Sequence, residues 1–291
     1  MNRNHGWIIY PRYVSHHDDN AFDWLTEEAA ACGLSAEVVF AEDITAGYFA
    51  GKNYLTIGGR IPDALPSFVV IRTYDTVLSR FFERLDIPVI NSSYSMELSK
   101  NKMLTHEVLH SAGIPTPRTV YSCNGEYDYE ELCDAFSDRR FIVKRIDGAK
   151  GEDVYLVNDA AEMRKAVEAC SRRCICQQFI ASSSGRDVRV WVIGGKVAGA
   201  VLRYSETSFL SNFSQGGKVA AIHLAPDAAS LAVESTEALG IEFAGIDLLF
   251  DENGFTVNEI NGNAGFRTLS RIGENNIPET LFGYIRDKYS K

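Results

Sequence analysis

The sequence predicts an α/β protein, and three observations support that prediction. Its first third alternates short apolar runs with helix-like segments, the pattern of a parallel sheet covered by helices. Glycines and prolines stand between these segments and mark where the elements end. Near the C-terminus, two apolar runs flank a turn sequence, which predicts an antiparallel hairpin.

The first third supplies the elements of the parallel sheet. Residues 7–10 are typical of a buried strand, and residues 22–32 of a helix closed by Gly33. A second helix is predicted at residues 77–85. The other short strands are predicted at residues 37–40, 68–71 and 88–90.

A second unit begins near Ser95. Its first helix, residues 100–111, stops at Gly113, and a strand at residues 141–144 follows. The last unit begins near Ser184. The remaining predicted elements are strands at residues 154–157, 175–180, 187–192 and 196–203, and helices at residues 160–170, 228–239 and 278–288.

The composition argues against several classes of partner. The 291 residues, enough for two or three domains, are 45% hydrophobic and 23% charged, as in globular proteins. The net charge of −10 argues against nucleic acid or an anionic membrane, since both need a basic surface. No segment approaches the roughly 18 consecutive apolar residues of a membrane helix. The N-terminus lacks the features of a signal peptide, so we expect a cytoplasmic protein.

The six cysteines are too few for a disulfide scaffold in a chain of this length. Cys170, Cys174 and Cys176 are close enough to suggest zinc, but their C-x₃-C-x-C spacing is not a usual ligand pattern and no histidine is near. Cys176 also lies in an apolar run. Buried free thiols are therefore the preferred interpretation.

The predicted hairpin, residues 245–261, carries three oxygen-bearing side chains. A three-residue loop, 252–254, with a left-handed Gly254 in a bulge, would place Asp247 opposite Glu259. Asn261 follows on the same face. Such oxygen ligands suit Mg²⁺. The alternative is an edge hairpin whose acids face water, and the hairpin alone does not decide between the two.

A second set of residues suggests phosphate binding. Lys144 ends a strand and is followed by the loop Gly148-Ala149-Lys150-Gly151, whose glycines would let the backbone approach an anion. The pattern is not a P-loop, and a plain hairpin turn is the alternative. Lys102, near the start of its helix, could also reach a phosphate; otherwise it is a solvated lysine.

Several other positions are ambiguous one at a time. The segment Gln177-Gln178-Phe179-Ile180 could present main-chain groups to a flat ring or be an ordinary buried strand. Asp187 and Arg189 lie on one face of a strand, and Arg203 and Asn212 follow. Together with the lysines and the hairpin, they fit one nucleotide site: cations and a loop for phosphates, a hinge for adenine, and acids for Mg²⁺.

This set resembles the ATP-grasp superfamily, and most closely its RimK-like ligases. The resemblance covers about residues 98–266 and rests on the segments KNKMLTHEVLHSAGIPTP, FIVKRIDGAKGEDVYLV, QQFI, GRDVRVWVIGGKVAGAVLR, SNFSQGG, AGIDLLF and VNEIN. It implies an ATP-grasp fold, with a nucleotide between two α+β subdomains and a Rossmann-like domain in front. We expect that domain at residues 1–97, a central subdomain at 98–183 and a C-terminal subdomain at 184–291.

The resemblance also implies a role for each candidate residue. Lys102 and Lys144 would bind phosphates, and Gln178-Phe179 would bind adenine through the hinge backbone. Asp187 would sit near the ribose. The remaining assignments are Asp247, Glu259 and Asn261 for Mg²⁺ (two ions, with Mn²⁺ able to substitute), and Arg203 and Asn212 facing the transferred phosphoryl group or the acceptor.

The sequence departs from the RimK-like pattern in three places: the first is compatible with a hinge that acts through its backbone, and the other two bear on the glutamate-adding specificity rather than on ATP binding. Gln178 stands where a glutamate is frequent, and Leu210 where an arginine is frequent. After Asn261, residues 262–265 read Gly-Asn-Ala-Gly, where many relatives have serine-proline-glycine. Arg72, Arg267 and Asn263 are the candidates for contact with the substrate.

The resemblance implies a reaction in which MgATP phosphorylates a carboxylate and an amine attacks the acylphosphate, giving an amide, ADP and phosphate. Arg203 and Lys144 are the expected catalytic residues. The partners would be a carboxylate and an amine, from amino acids or peptides, with a homo-oligomer left open. The alternatives are a kinase on the same scaffold and a non-catalytic ATP-binding regulator.

Overall fold

The structure is a computed structural model that describes residues 4–16, 19–149, 151–211, 216–266, 272 and 276–289. In the described parts of the chain, no helix is both long and apolar enough to cross a membrane. Three sheets and a separate hairpin account for the strands.

The N-terminal part holds a four-stranded parallel sheet, as the alternating pattern predicts. Strand order is β2-β1-β5-β6. An antiparallel hairpin, β3 and β4, which is not among the predicted elements, lies beside it. The elements of this part are β1 (His5–Tyr10), α1 (Asp19–Ala31), β2 (Ser35–Phe40), β3 (Ile44–Phe49), β4 (Lys52–Ile57), β5 (Phe68–Ile71), α2 (Thr76–Glu83), β6 (Val89–Ile90) and α3 (Ser93–Lys100).

The middle part forms an antiparallel sheet in the order β7-β10-β8-β9. Its elements are α4 (Lys102–Ser111), β7 (Thr119–Tyr121), α5 (Tyr129–Phe136), β8 (Phe141–Arg145), β9 (Val154–Val157), α6 (Ala160–Ala169) and β10 (Cys174–Gln178). Phe141 and Val143 pack into a core with α5 and α6, together with Cys174 and Cys176. Because strand side chains alternate, Ile142 and Lys144 face the other side.

The C-terminal part forms a five-stranded antiparallel sheet in the order β13-β12-β11-β14-β15. Its elements are β11 (Arg186–Ile193), β12 (Lys196–Tyr204), β13 (Lys218–Ala221), α7 (Pro226–Leu239), β14 (Phe243–Asp251), β15 (Gly254–Asn261) and α8 (Ile277–Tyr289). Helix α7 packs on the buried face that carries Val188, Ile246 and Val257. A second core joins this sheet and α8 to β1 and α1.

The hairpin β14–β15 has the predicted pairing of Asp247 with Glu259, but not through the predicted turn. Asp251 pairs with Gly254, so the loop has two residues, and Gly254 begins β15 with φ +123°. The register instead shifts between Asp247 and Leu248, which leaves Asn258 as the extra residue. The bulge therefore lies beside the acidic residues rather than at the turn.

Candidate nucleotide-binding site

A cavity opens between the middle and C-terminal sheets. Its walls come from strands of both sheets, from the loop after β8 and from the segment after β10. The structure thus brings together residues far apart in the sequence. The predicted residues that line it are Lys102, Lys144, Gly148, Ala149, Gly151, Gln177, Gln178, Phe179, Ile180, Asp187, Asp247 and Glu259.

Two lysines meet at one end of this cavity. The Lys144 Nζ donates to Asn258 Oδ1 at 3.2 Å, and the Lys102 Nζ lies 3.1 Å from Glu259 Oε1. Both side chains are buried. Burial, and to a smaller extent Lys102, lowers the pKa of Lys144 to about 7, against the opposing effect of Glu259 and Asp247. Two buried cations this close together favour an anionic ligand.

The glycine-bearing loop is held at this end by lysines. The Lys102 Nζ donates to the Gly148 carbonyl at 2.5 Å, and the Lys100 Nζ donates to the Asp147 carbonyl at 2.6 Å. The Lys102 backbone N–H also donates to the Ile146 carbonyl. These bonds fix the loop next to the start of α4.

Behind the lysines, Gln177 contacts a buried histidine. The Gln177 amide nitrogen lies 2.8 Å from His106 Nε2 and donates to Thr119 Oγ1 at 2.9 Å. Burial, together with the nearby Lys144 and Lys102, lowers the pKa of His106 to about 3. His106 is therefore neutral near pH 7 and adds no charge beside the lysines.

The predicted hinge segment, Gln177 to Ile180, also lines the cavity. Gln178 Oε1 accepts from the Arg118 Nε at 3.2 Å, so this side chain is already engaged. The Phe179 ring lies edge-on to Phe209, with Arg140 over it. The engaged Gln178 side chain agrees with a hinge that contacts its ligand through the main chain.

Apolar side chains of the cavity form a wall that is not predicted from the sequence. The cavity is also lined by four apolar side chains: Ile142, Val154, Phe209 and Leu249. Ile142 stands two residues before Lys144 on the same strand. Because strand side chains alternate, the sequence could have indicated that Ile142 faces the cavity together with Lys144. Such a wall suits a flat, apolar-faced ring.

Asp247, Arg189, Arg203 and Asp187 form a buried cluster of ion pairs. Arg189 binds both carboxylate oxygens of Asp247, through Nε and, at 2.8 Å, through Nη2. Arg203 binds Asp187 at 2.6 and 2.7 Å, and its Nη2 lies 3.0 Å from Asp247 Oδ2. Burial would raise the pKa of Asp247, but the two guanidinium groups outweigh it and hold that pKa below its usual value.

This cluster places two predicted residues differently from the roles implied by resemblance. Asp187 lines the cavity, yet its carboxylate is occupied by Arg203 and by the Ser211 hydroxyl, which donates at 2.7 Å. Arg203 and Arg189 do not line the cavity. In this structure both arginines hold acids in place.

The three predicted metal ligands carry the donor types that suit a hard divalent cation, although arginines bind both oxygens of Asp247 in this structure. Asp247, Glu259 and Asn261 provide carboxylate and amide oxygens, which Mg²⁺ prefers. The Asn261 amide nitrogen points toward the Gly245 carbonyl and Asp247, at 3.4 and 3.5 Å, so its oxygen is turned the other way. The Glu259 side chain is 22% exposed and thus open to the cavity.

Arg72 and Asn263 lie outside the cavity and bind each other's segments. The Arg72 Nη2 donates to the Ala264 carbonyl at 2.6 Å, and the Asn263 amide donates to the Arg72 carbonyl at 2.9 Å. Three aromatic rings surround the buried Arg72 guanidinium. These contacts tie the N-terminal sheet to the turn after Asn261. The predicted residues Lys150, Asn212 and Arg267 lie outside the described residues.

The chain is similar in sequence to known ligases and to a known family of domains. A model of the RimK-like ATP-grasp domain matches residues 99–285. A probable alpha-L-glutamate ligase of Maridesulfovibrio salexigens is 30% identical over 219 residues, which cover 74% of this chain and 72% of that protein.

Solved structures share the fold over nearly the whole chain. The ATP-grasp ligase PsnB, complexed with a minimal precursor, Mg and ADP, matches with a TM-score of 0.72 and 20% identity, covering 100% of this chain and 98% of that one. A RimK domain ATP-grasp protein of Sphaerobacter thermophilus matches with a TM-score of 0.71 and 21% identity, covering 99% and 100%.

Proposed function

The chain belongs to the RimK-like ATP-grasp family of ligases, which join a carboxylate to an amine, and we propose that MgATP drives this reaction here. One observation carries the proposal. The two buried lysines and the acids suited to a metal meet at a single point, where Lys102 Nζ lies 3.1 Å from Glu259 Oε1. Lysines that bind phosphates and residues that hold Mg²⁺ lie side by side in nucleotide sites, because both the lysines and the ion contact the same phosphate chain.

The nucleotide would lie along the cavity, with its phosphates at the lysines and its adenine at the hinge. Lys102, Lys144 and the glycine-bearing loop would bind the phosphates. The main chain from Gln178 to Ile180 would bind the adenine edge, with Ile142 and its apolar neighbours against the ring. Asn212 and Lys150 stay predicted contacts of the nucleotide, and Arg189, which binds Asp247, would act on the site through that carboxylate.

Asp247, Glu259 and Asn261 would hold Mg²⁺, and we propose two ions, with Mn²⁺ able to substitute. When bound, Mg²⁺ neutralises the developing charge on the phosphate oxygens. Glu259 is the ligand most open to the cavity. Asp247 would remain fixed by its two arginines.

In the proposed first step, a carboxylate oxygen attacks the γ-phosphorus, and the bond to the β–γ bridging oxygen breaks as ADP leaves with its electron pair. The amine nitrogen then attacks the acyl carbon, phosphate leaves and the nitrogen loses a proton. Lys144 and Lys102 would neutralise the phosphoryl charge in both steps, which position and charge alone can accelerate. Arg203 stays the predicted residue for the acylphosphate, a role for which its side chain would have to leave Asp187 and Asp247.

The substrates are proposed as amino acids or peptides, which the glutamate-ligase name of one relative and the precursor bound to PsnB support. Leu210 and the turn at residues 262–265 would set the specificity. Arg72 and Asn263 stay predicted substrate contacts, acting from the N-terminal side, as does Arg267. The division into parts at residues 1–97, 98–183 and 184–291 is also proposed, with one sheet centred in each.

The test is a screen of carboxylates against amines with MgATP, read by mass spectrometry, with hydroxylamine added to trap the acylphosphate. We expect ADP release that requires both substrates and a hydroxamate when hydroxylamine replaces the amine. ADP release with a hydroxyl compound alone would instead indicate a kinase. Glu259→Gln should abolish the Mg²⁺-dependent turnover, and full activity of this variant would refute the metal assignment.

A further inference from the structure

The bulge in β15 turns one more side chain into the cavity. In a regular strand Asn258 would point away from Glu259, but a bulge places two consecutive side chains on the same side. Asn258 and Glu259 accordingly both line the cavity, whereas Val257 and Ile260 on either side are buried in the core under α7. The β-bulge therefore determines the direction in which the Asn258 side chain points.

Asn258 reaches across the cavity to the opposite sheet. Its Oδ1 accepts from the Lys144 Nζ at 3.2 Å, which joins β15 to β8. Lys144 is only 4% exposed, so water has little access to its ammonium group. The Asn258 oxygen therefore helps to define the position of that group. Among the described residues, this is the bond that connects the ammonium of Lys144 to the C-terminal sheet.

The two lysines differ in the charge of their partners. Lys102 lies against a carboxylate, that of Glu259. The partner of Lys144 is a neutral amide, and within the described ranges no carboxylate comes within salt-bridge distance of it. A neutral acceptor orients an ammonium group without cancelling its charge, whereas a carboxylate at the same place would compete with an anionic ligand.

We infer that Asn258 is a positioning residue that aims the Lys144 ammonium at the nucleotide phosphates without placing a carboxylate in direct contact with it. The inference rests on the proposed function, since it takes the cavity to be a nucleotide site. It predicts that a negative charge at position 258 weakens phosphate binding more than loss of the hydrogen bond to Lys144 does.

The test compares Asn258→Asp, which keeps the shape but adds a charge, with Asn258→Ser, which shortens the side chain and stays neutral. Asn253→Asp is the matched control, because Asn253 is an exposed turn residue of the same hairpin and does not line the cavity. Dissociation constants of MgADP and of Mg-AMPPNP are measured by calorimetry. Binding of adenosine, which lacks phosphates, is measured by saturation-transfer NMR, and thermal unfolding verifies folding.

We expect Asn258→Asp to weaken MgADP and Mg-AMPPNP about tenfold or more while adenosine binds as in the wild type. Asn258→Ser should lose less, and Asn253→Asp should match the wild type. Unchanged MgADP binding in Asn258→Asp would overturn the inference, and so would an equal loss of adenosine binding, which indicates a distorted cavity. Failure of the wild type to bind MgADP would instead refute the proposed function.

Discussion

Replacing Lys144 with arginine should remove a pH dependence from nucleotide binding. In the free protein, burial and the neighbouring Lys102 lower the pKa of Lys144 to about 7. A bound phosphate stabilises the charged ammonium and so raises this pKa. Below pH 7 the lysine already carries its proton. Above pH 7 it is neutral, and binding has to take up a proton.

The size of the effect follows from this proton. Each pH unit above 7 should weaken binding by about one decade, or roughly 1.4 kcal/mol, until the pKa of the bound state is reached. Between pH 7 and pH 9 the dissociation constant should therefore rise about 50-fold, because half of the Lys144 side chains are already neutral at pH 7. Arginine stays protonated throughout this range, so Lys144→Arg should lack this slope, whatever its absolute affinity.

The assay is calorimetry with ADP and EDTA from pH 6 to pH 9.5, in pairs of buffers that differ in ionisation enthalpy. Titration of ADP itself is common to both proteins and cancels in the comparison. The wild type should take up about one proton above pH 7 that the variant does not. Equal slopes in the two proteins would show that Lys144 is already charged in the free cavity and would refute the reasoning.

Two further predictions concern stability. Asp187→Asn should lower the free energy of unfolding, measured in urea, by about 3 kcal/mol, because it removes one carboxylate partner of the buried Arg203. The double variant Asp187→Asn with Arg203→Met should recover part of this loss. An Asp187→Asn protein as stable as the wild type would contradict the prediction. His106, whose pKa falls from 6.5 to about 3 on folding, binds a proton only in the unfolded state between these values. The wild type should therefore lose up to about 1.4 kcal/mol per pH unit as the pH falls below 6.5, a loss that should be smaller in His106→Gln.

Most helices and strands could be predicted from the sequence, because residues such as glycine mark their ends. The strand at residues 68–71 and the helices closed by Gly33 and Gly113 stand where the pattern predicts them. The short strands β7 and β13 were missed, since three or four residues at a sheet edge show too little alternation. The hairpin β3–β4 was missed as well, although it is joined by the two-residue turn Ala50-Gly51.

The pairing of Asp247 with Glu259 was predicted correctly through an incorrect turn. A three-residue loop with its bulge at Gly254 and a two-residue loop with a bulge at Asn258 give the same pairing. The sequence around the turn does not distinguish them. Only the second arrangement brings Asn258 into the cavity, so one residue of the site could not be found by counting along the hairpin.

The partners of the acids depend on sheet order, which the sequence does not reveal. Asp187 and Arg189 were predicted to share a face, and they do so on β11. Because β12 and β14 flank β11, Arg203 stands opposite Asp187, and Asp247 stands opposite Arg189. Separations of 16 and 58 residues carry no local signal of these pairs. The sequence thus indicates which side chains belong to the site, whereas the order of the strands determines that Arg189 already binds Asp247.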